Sequence, residues 1–267
     1  MNIAAIQMTS GFDIQKNLTQ AAHFIQEAAA SSAKLIVLPE NFALMGTSDA
    51  DKLRSCETAG RGPIQDFLAA QAAKHRVWII GGTIPLASPD PHKTYNACPI
   101  FNDQGKQVAC YKKIHLFDAH VQPGVEVYEE SRFVYPGSET VVLDTPVGRA
   151  GIAICYDLRF PELFRALSAQ GAELFILPTA FTVTTGQAHW EVLMRARAIE
   201  NLCYVIGACQ TGKHDNGRST YGHSLIIDPW GAVLTCLSQG PGIIQAAISL
   251  DYLRQLRTQM PRWQGGL

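Results

Sequence analysis

The position of Cys155 makes its thiol a candidate nucleophile. It directly follows the apolar run 151–154, which predicts a strand, and Pro161 shortly after it predicts the first turn of a helix. At such a strand-to-helix turn, backbone N–H groups and the helix N-terminus stabilise a thiolate and can form half of an oxyanion hole. A buried core cysteine is the alternative interpretation, preferred if no acid, base or cation occupied comparable places.

Two charged residues do occupy such places. Glu40 follows the apolar run 35–39, and ligand sites in α/β sheets collect at the carboxyl ends of strands. A carboxylate flanked by apolar residues can have a raised pKa and can serve as general base and acid. Lys113 lies at the exit of a predicted hairpin among apolar residues, where a buried ammonium group requires a counter-charge. Considered one at a time, Glu40 can also be an ordinary loop glutamate, and Lys113 can also be a surface lysine.

The elements that position these residues repeat in two halves. Both halves read as strand, helix, strand, helix, strand and hairpin, and they face each other about a pseudo-dyad. Because each sheet must cover both of its apolar faces, the pattern predicts an α/β fold with four layers, an α-β-β-α sandwich. The polar stretches 87–91 and 212–218 predict surface loops without a functional role. In chain order the predicted elements are strand 2–9, a helix capped by Asp13, strand 35–38, helix 63–74, strand 77–82, hairpin 97–111, strand 150–154, helix 161–170, strand 174–178, helix 186–201, strand 204–209 and hairpin 222–236.

Length and composition limit the class of protein. The 267 residues, 47% hydrophobic and 17% charged, predict a soluble globular chain with one domain at 1–260 and a C-terminal tail at 261–267. A formal net charge of -1 provides no long-range field that would gather nucleic acid or an anionic membrane. The first residues lack the features of a signal peptide, and no apolar run approaches the roughly 20 residues of a membrane span. We therefore expect a cytoplasmic protein.

Cysteine and histidine spacing argues against two other kinds of site. The seven cysteines are odd in number and form no CxxC pair, so neither a disulfide framework nor a zinc cluster is predicted. His115, His189 and His223 lie in separate predicted elements, and the run 189–191 lacks the HExxH spacing of a metallohydrolase. The sequence context of a papain-type cysteine is missing as well.

From residues 3–7 to about 252–253, the sequence resembles the nitrilase superfamily of carbon–nitrogen hydrolases. Three motifs carry the resemblance: LPE at 38–40, YKKIHLFD at 111–118 and GIAICYDLRFPE at 151–162. The resemblance implies a nitrilase-type sandwich whose catalytic set is Glu40, Lys113 and Cys155, with no metal or organic cofactor. Lys112 stands where the family often has arginine, and Lys113 is the position that matches the catalytic lysine.

The resemblance also implies a mechanism and supporting residues. Glu40 would accept the thiol proton, and Lys113 with the backbone N–H of Tyr156 would stabilise the oxyanion formed on attack at an amide carbonyl. A cysteinyl thioester would follow, which water then hydrolyses. Glu130 matches a second glutamate that positions the lysine and the amide, and Glu129 is the alternative one residue away.

Further stretches indicate a branch of the family. Residues 178–186, 189–191 and 195–201 resemble the branch with deaminated-glutathione amidase and omega-amidase, and residues 212–214, 219–224 and 228–231 are closer to the first activity. This ranks the hydrolysis of deaminated glutathione to 2-oxoglutarate and cysteinylglycine first and that of α-ketoglutaramate second. A catalytically idle member that serves as a binding scaffold is the alternative from another class.

The implied substrate is a small amide that carries a carboxylate. Such a group needs a cation or N–H donors, for which Arg159, Thr184 and Thr185 are the candidates. Alternatively, Arg159 forms an ion pair with Asp157 or Glu162 that braces the turn after Cys155. The resemblance further implies a homodimer or a larger homo-oligomer.

Overall fold

The computed structural model describes residues 1–46, 49–122 and 126–260, so the predicted tail 261–267 lies outside the described residues. The helices are α1 (Ile14–Ala30), α2 (Asp49–Arg54), α3 (Pro63–His75), α4 (Pro161–Ala169), α5 (Val183–Asn201) and α6 (Leu250–Gln259). The strands are β1 (Asn2–Gln7), β2 (Ala33–Val37), β3 (Trp78–Ile80), β4 (Ile84–Ala87), β5 (Thr94–Phe101), β6 (Gln107–Lys112), β7 (Asp118–Gln122), β8 (Glu126–Glu129), β9 (Val141–Thr145), β10 (Gly148–Ile152), β11 (Leu174–Thr179), β12 (Tyr204–Cys209), β13 (Thr211–Lys213), β14 (Ser219–Tyr221), β15 (Ser224–Ile227), β16 (Val233–Leu237) and β17 (Gly242–Ala247).

Two large sheets have equivalent strand orders. In the first, β17-β1-β2-β3-β5-β4, strands β1, β2 and β3 are parallel, and β6 pairs with β5. In the second, β16-β15-β12-β11-β10-β9, strands β10, β11 and β12 are parallel, and the β15–β16 hairpin follows. The succession of three parallel strands and a hairpin therefore occurs twice, as the sequence repeat predicts.

The two sheets pack face to face between outer helices. Strand β1 contacts β12 and β15 across the interface, while α1 and α3 pack on the first sheet and α4 and α5 on the second. The predicted α/β class and its four-layer α-β-β-α sandwich are confirmed. Within the described residues, no helix combines the length and apolar character needed to cross a membrane.

Local sequence explains where the main elements begin. The Asp13 carboxylate accepts the N–H of Lys16 at 3.1 Å and caps α1, as predicted. Helix α5 begins at Val183 rather than at the predicted 186, because the Thr182 hydroxyl accepts the N–H of Thr185 at 3.2 Å and caps the earlier turn. Continuous apolar runs form the parallel strands, since both faces of these strands are buried.

Other predictions need correction as well. The strand predicted at 150–154 is β10, which ends at Ile152 because the chain turns away from the sheet before Cys155. The stretch 212–218 is not a plain loop, since Thr211–Lys213 and Ser219–Tyr221 pair as a two-stranded antiparallel ribbon. Three-residue strands leave no periodic pattern in a sequence, and their pairing is fixed by hydrogen bonds to each other.

One pairing joins distant parts of the chain. Strand β17 lies antiparallel against β1, with Asn2 opposite Ala247 and Gln7 opposite Gly242. Beyond the strand ends, Ile248 N–H donates to the carbonyl of Met1 at 2.8 Å. The first sheet therefore contains a strand from each end of the described chain.

Candidate active site

Cys155 sits on a strained turn directly after β10. Its φ of 48° lies in the left-handed region that residues with a side chain avoid, and the 3-10 turn Cys155–Arg159 leads from it to α4 at Pro161. The thiol is 8% exposed and lines a cavity of about 770 Å³. The turn therefore presents the sulfur to the cavity from the carboxyl end of a parallel strand.

A buried carboxylate holds this turn in place. Asp157 Oδ2 accepts the N–H of Ile154 at 2.9 Å and the hydroxyl of Tyr111 at 2.7 Å. Its Oδ1 accepts the N–H of His115 at 3.0 Å and lies 2.7 Å from His115 Nδ1, which must carry a proton to donate to a carboxylate. The His115 ring stacks on Phe160 with 3.7 Å between centroids. Asp157 thus ties the Cys155 turn to the segment that follows β6.

Lys113 and two glutamates form a compact buried cluster. Lys113 Nζ lies 3.0 Å from Glu40 Oε1 and 2.8 Å from Glu130 Oε2. Asn96 Nδ2 donates to Glu40 Oε1 at 2.9 Å and to Glu130 Oε1 at 3.3 Å, and Phe117 N–H donates to Glu130 Oε2 at 2.7 Å. Both carboxylates are therefore held by neutral donors as well as by the ammonium group.

Lys113 and Glu130 belong to the cluster, whereas their sequence neighbours Lys112 and Glu129 do not. Lys112 is exposed and its Nζ lies 4.1 Å from the centre of the Tyr95 ring, whereas Lys113 is buried beside the glutamates. Glu129 pairs with Arg132 at 2.7 Å on the surface, so Glu130 is the glutamate that contacts the buried lysine.

Burial and charge act together on the titratable groups. Burial alone would lower the pKa of Lys113, but the charges of Glu130 and Glu40 raise it well above its ordinary value. Burial likewise would raise the pKa of Glu130, and the charge of Lys113 lowers it instead. The Cys155 pKa is raised well above that of a free thiol, first by burial and then by the charge of Glu40. The resting sulfur is therefore a thiol whose proton must be removed by a base.

Glu40 is the base within reach of that thiol. Its carboxylate lines the same cavity as Cys155 and lies close enough to raise the pKa of the thiol, and Ala180 also lines the cavity there. Glu40 itself is 3% exposed and lies beside Lys113. The arrangement provides a base for the nucleophile and a fixed cation next to both, which is the requirement for nucleophilic acyl transfer.

The cavity opens outward between an aromatic wall and charged side chains. Phe117 lies between Tyr128 and Tyr156, at centroid distances of 4.8 Å and 5.0 Å. The charged residues that line the cavity are Glu40, Lys52, Lys113, Glu126, Glu129, Glu130, Arg132, Arg218. Positive and negative side chains occur in equal number, so recognition depends on their local placement.

The structure places the predicted carboxylate-binding residues beside the cavity rather than among those that line it in the described part of the chain. Arg159 donates to His189 Nδ1 at 3.2 Å and lies over the Phe181 ring, which directly follows Ala180 of the cavity wall. The Thr185 hydroxyl is 2.8 Å from that of Thr182, in the first turn of α5 with Thr184. Carboxylate binding by Arg159, Thr184 and Thr185 stays a prediction.

The alternative that Arg159 pairs with Asp157 or Glu162 is wrong, since the described residues form no such ion pair. Asp157 already accepts hydrogen bonds from four donors. Sequence reasoning missed Asn96, and it missed the cavity residues on the β13–β14 ribbon and on α2. Asn96 lies on a predicted hairpin strand, but only the three-dimensional pairing brings its amide to Glu40.

Comparison with known proteins agrees with this chemistry. Residues 2–258 match the family model of carbon-nitrogen hydrolases. The chain is 43% identical over 264 residues to a deaminated glutathione amidase of Synechocystis sp. (strain PCC 6803 / GT-S), which covers 98% of this chain and 96% of that protein. It is 42% identical over 266 residues to the human deaminated glutathione amidase, and the match covers 98% of this chain and 81% of that protein.

A solved structure supports the same relationship. Saccharomyces cerevisiae Nit3, a member of branch 10 of the nitrilase superfamily, superposes with a TM-score of 0.87 and is 34% identical, with 98% of this chain and 94% of that chain covered. The strand order, the buried cluster and the sequence matches lead to one assignment. The chain belongs to the carbon-nitrogen hydrolase family, within the nitrilase superfamily, and is an amide-cleaving enzyme of it.

Proposed function

We propose that the enzyme cleaves a small carboxylate-bearing amide through a thioester on Cys155. The observation that carries the proposal is the position of Glu40, which lines the same cavity as the Cys155 thiol and lies 3.0 Å from Lys113 Nζ. One carboxylate can thus take the proton of the thiol, and the adjacent cation can stabilise the negative charge that develops on attack.

The acylation half of the reaction uses these groups in order. Glu40 takes the thiol proton as Sγ attacks the amide carbonyl carbon. The oxyanion is stabilised by the Lys113 ammonium group and the backbone N–H of Tyr156. When the tetrahedral intermediate collapses, Glu40 returns the proton to the leaving nitrogen and the amine departs. Glu130 keeps Lys113 charged and oriented throughout, because it holds Nζ at 2.8 Å.

Deacylation reuses the same base. Glu40 removes a proton from water, which attacks the thioester carbonyl, and the proton passes to the departing sulfur. The carboxylic acid product leaves and Cys155 returns to the thiol state. Each proton taken by Glu40 is thus returned, so the enzyme itself undergoes no net change.

For the substrate we propose deaminated glutathione, cleaved to 2-oxoglutarate and cysteinylglycine as metabolite repair. The support is the name shared by the Synechocystis and human relatives, which match almost the whole chain. The cavity of about 770 Å³ lies in the size range of ligand pockets and has room for a tripeptide-like amide. α-Ketoglutaramate, the omega-amidase substrate, is the smaller alternative.

The first experiment measures hydrolysis of both amides by wild type, Cys155→Ala and Cys209→Ala. Cys209 is a second buried cysteine at a strand end and serves as the matched control. We expect wild type and Cys209→Ala to release cysteinylglycine from deaminated glutathione, and Cys155→Ala to fall to the background rate. Preference for α-ketoglutaramate would move the assignment to an omega-amidase, and equal loss in both variants would remove Cys155 as the nucleophile.

Alkylation distinguishes an enzyme from an idle scaffold. With Glu40 available to take its proton, Cys155 should react with iodoacetamide faster than the other six cysteines, and Glu40→Gln should abolish that advantage. Uniformly slow labelling in wild type would favour the scaffold instead.

We also propose that the protein is a cytoplasmic homodimer with its domain at 1–260. All seven cysteines are free thiols, as expected in a reducing compartment. Val192 and Ile199 are exposed apolar residues on α5, and Ile199 lies against Gly231, next to the exposed Trp230; such apolar surface is of the kind that a second copy covers. Sedimentation should give the dimer mass for wild type and the monomer mass for Val192→Glu, and a monomeric wild type would refute the dimer.

A further inference from the structure

The turn of the β13–β14 ribbon forms part of the cavity rim. Asn216, Gly217, Arg218 and Ser219 all line the cavity, and none of the steps described above uses them. The turn supplies none of the groups assigned to the reaction, so its contribution must come from binding. Its position and the cation that it places on the cavity, Arg218, indicate what it binds.

Hydrogen bonds hold this turn in a fixed shape. His214 N–H donates to the carbonyl of Arg218 at 2.8 Å, and Arg218 N–H donates to Asn216 Oδ1 at 3.0 Å. The His214 ring is buried, with Nδ1 2.9 Å from the carbonyl of Ser10 and Nε2 2.7 Å from the Thr220 hydroxyl. The backbone under Arg218 is therefore anchored to the body of the protein.

The turn lies on the Glu40 side of the cavity. Asn216 Nδ2 donates to the carbonyl of Gly46 at 2.9 Å, in the segment that leads away from Glu40, and Asn41, Met45 and Gly46 line the cavity between them. Glu40 is the group that protonates the leaving nitrogen. A leaving group that follows the wall formed by Asn41, Met45 and Gly46 away from Glu40 reaches the ribbon turn.

Arg218 presents its guanidinium group there. Its Cζ lies 4.8 Å from the centre of the Tyr128 ring. Tyr128 in turn stacks on Phe117, so one aromatic wall runs from the Cys155 turn to Arg218. No carboxylate among the described residues forms an ion pair with Arg218, which leaves the planar fork available to an anion.

We propose that Arg218 binds a carboxylate carried by the amine leaving group, an inference that rests on the proposed function and assigns the specificity of the same site. Cysteinylglycine ends in such a carboxylate, whereas the ammonia released from α-ketoglutaramate carries nothing that could reach the turn. Asn216 and Ser219 supply polar groups beside the guanidinium. Arg218 thereby selects peptide-like amides over primary amides.

An acidic residue on the same rim further restricts the charge that the ligand can carry. Glu126 lines the cavity, and its Oε2 is buried without a hydrogen-bond partner among the described residues. This carboxylate repels a leaving group with several negative charges. The subsite therefore fits a monocarboxylate amine.

The test assays three forms of the enzyme on three substrates. Wild type, Arg218→Gln and Lys213→Gln are assayed on deaminated glutathione, on its analogue with a neutral glycinamide end, and on α-ketoglutaramate. Lys213 is an exposed cation on the same ribbon that does not line the cavity, so its variant controls for a general loss of charge. Thermal unfolding of each variant shows that the ribbon is intact.

For deaminated glutathione we expect Arg218→Gln to lower kcat/KM by about 10- to 100-fold, mainly through KM, because a charge-assisted contact made in both ground and transition state is lost. Wild type should discriminate against the glycinamide analogue by a similar factor. Arg218→Gln should treat the analogue and α-ketoglutaramate as wild type does, and Lys213→Gln should match wild type on all three.

Results that contradict the role of Arg218 can be distinguished from results that contradict the proposed substrate. An equal loss on the charged substrate and the glycinamide analogue would overturn the role of Arg218 and leave the proposed function intact, as would no loss on either. Wild-type turnover of α-ketoglutaramate alone would overturn the proposed substrate and with it the leaving-group subsite.

Discussion

Lys113 is surrounded by three carboxyl oxygens at 2.8 to 3.1 Å, and this crowding defines the chemistry of the site at the scale of single residues. Glu130 offers two of the oxygens and Glu40 the third. A lysine that served only to neutralise Glu40 would need one partner. In the proposed reaction, the second carboxylate keeps the ammonium group charged while Glu40 takes up and returns its proton.

Glu130 should govern part of the acid stability. Its pKa is lowered in the folded protein, so its contribution to stability is present above the ordinary value of about 4.3 and is lost as the pH falls below it. Glu130→Gln should therefore be less stable at pH 7, by about 1–3 kcal/mol. Its free energy of unfolding should also decline less steeply than that of wild type as the pH falls from 5 to 3.

Urea unfolding at several pH values checks this, with the exposed Glu139→Gln as control. A wild-type slope that survives unchanged in Glu130→Gln would show that another carboxylate carries the effect.

At the scale of elements, burial determines which strands could be predicted from the sequence. The parallel strands β2, β11 and β12 are apolar runs buried on both faces, and all three were predicted. The edge strands β9 and β17 are short or of mixed composition, and other strands fix their register, so no local pattern marks them.

The site follows the same division. The position of Glu40 and Cys155 after buried strands could be predicted, whereas the position of Arg218 on the cavity could not, because it lies on a ribbon that sequence periodicity does not reveal. The choice of Glu130 over Glu129 also required coordinates, because two adjacent residues differ in direction only once the backbone of the 3-10 turn after β8 is known.

The cap of α1 offers a prediction confined to one element. Asp13→Ala removes the acceptor for the N–H of Lys16 and should cost about 1 kcal/mol, which lowers Tm by about 2–4 °C in a chain of this size. Asp13→Asn keeps an acceptor and should retain most of the stability. Because Asp13 does not line the cavity, kcat should be the same in both. Thermal melts that place the Asn variant as low as the Ala variant would argue against the cap.

At the scale of the whole molecule, Tyr111 and Asp157 join the two halves. Tyr111 belongs to β6 of the first sheet, Asp157 to the turn after β10 of the second, and the 2.7 Å bond between them is fully buried. Because the same carboxylate holds the N–H of Ile154, the packing of the halves and the shape of the nucleophile turn are set by one group.

Tyr111→Phe should therefore affect stability and catalysis together. We expect a loss of about 1–3 kcal/mol in the free energy of unfolding, because a buried carboxylate loses a donor. A lower kcat should accompany it, since the Cys155 turn loosens. Tyr204→Phe is the matched control, because among the described residues the Tyr204 hydroxyl bonds only the backbone of Ser249, at 3.2 Å and away from the turn. That variant should lose stability alone, and an unchanged kcat in Tyr111→Phe would separate the two effects.

The pairing of β1 with β17 has a consequence for synthesis on the ribosome. Met1 and Ile248 are 247 positions apart, yet they are bonded neighbours in the folded protein. The edge of β1 stays uncovered until β17, more than 230 positions further along the chain, has emerged from the ribosome. The first half can collapse during translation, but its sheet cannot close before that point, and a ribosome that stalls earlier leaves an unpaired strand edge open to aggregation.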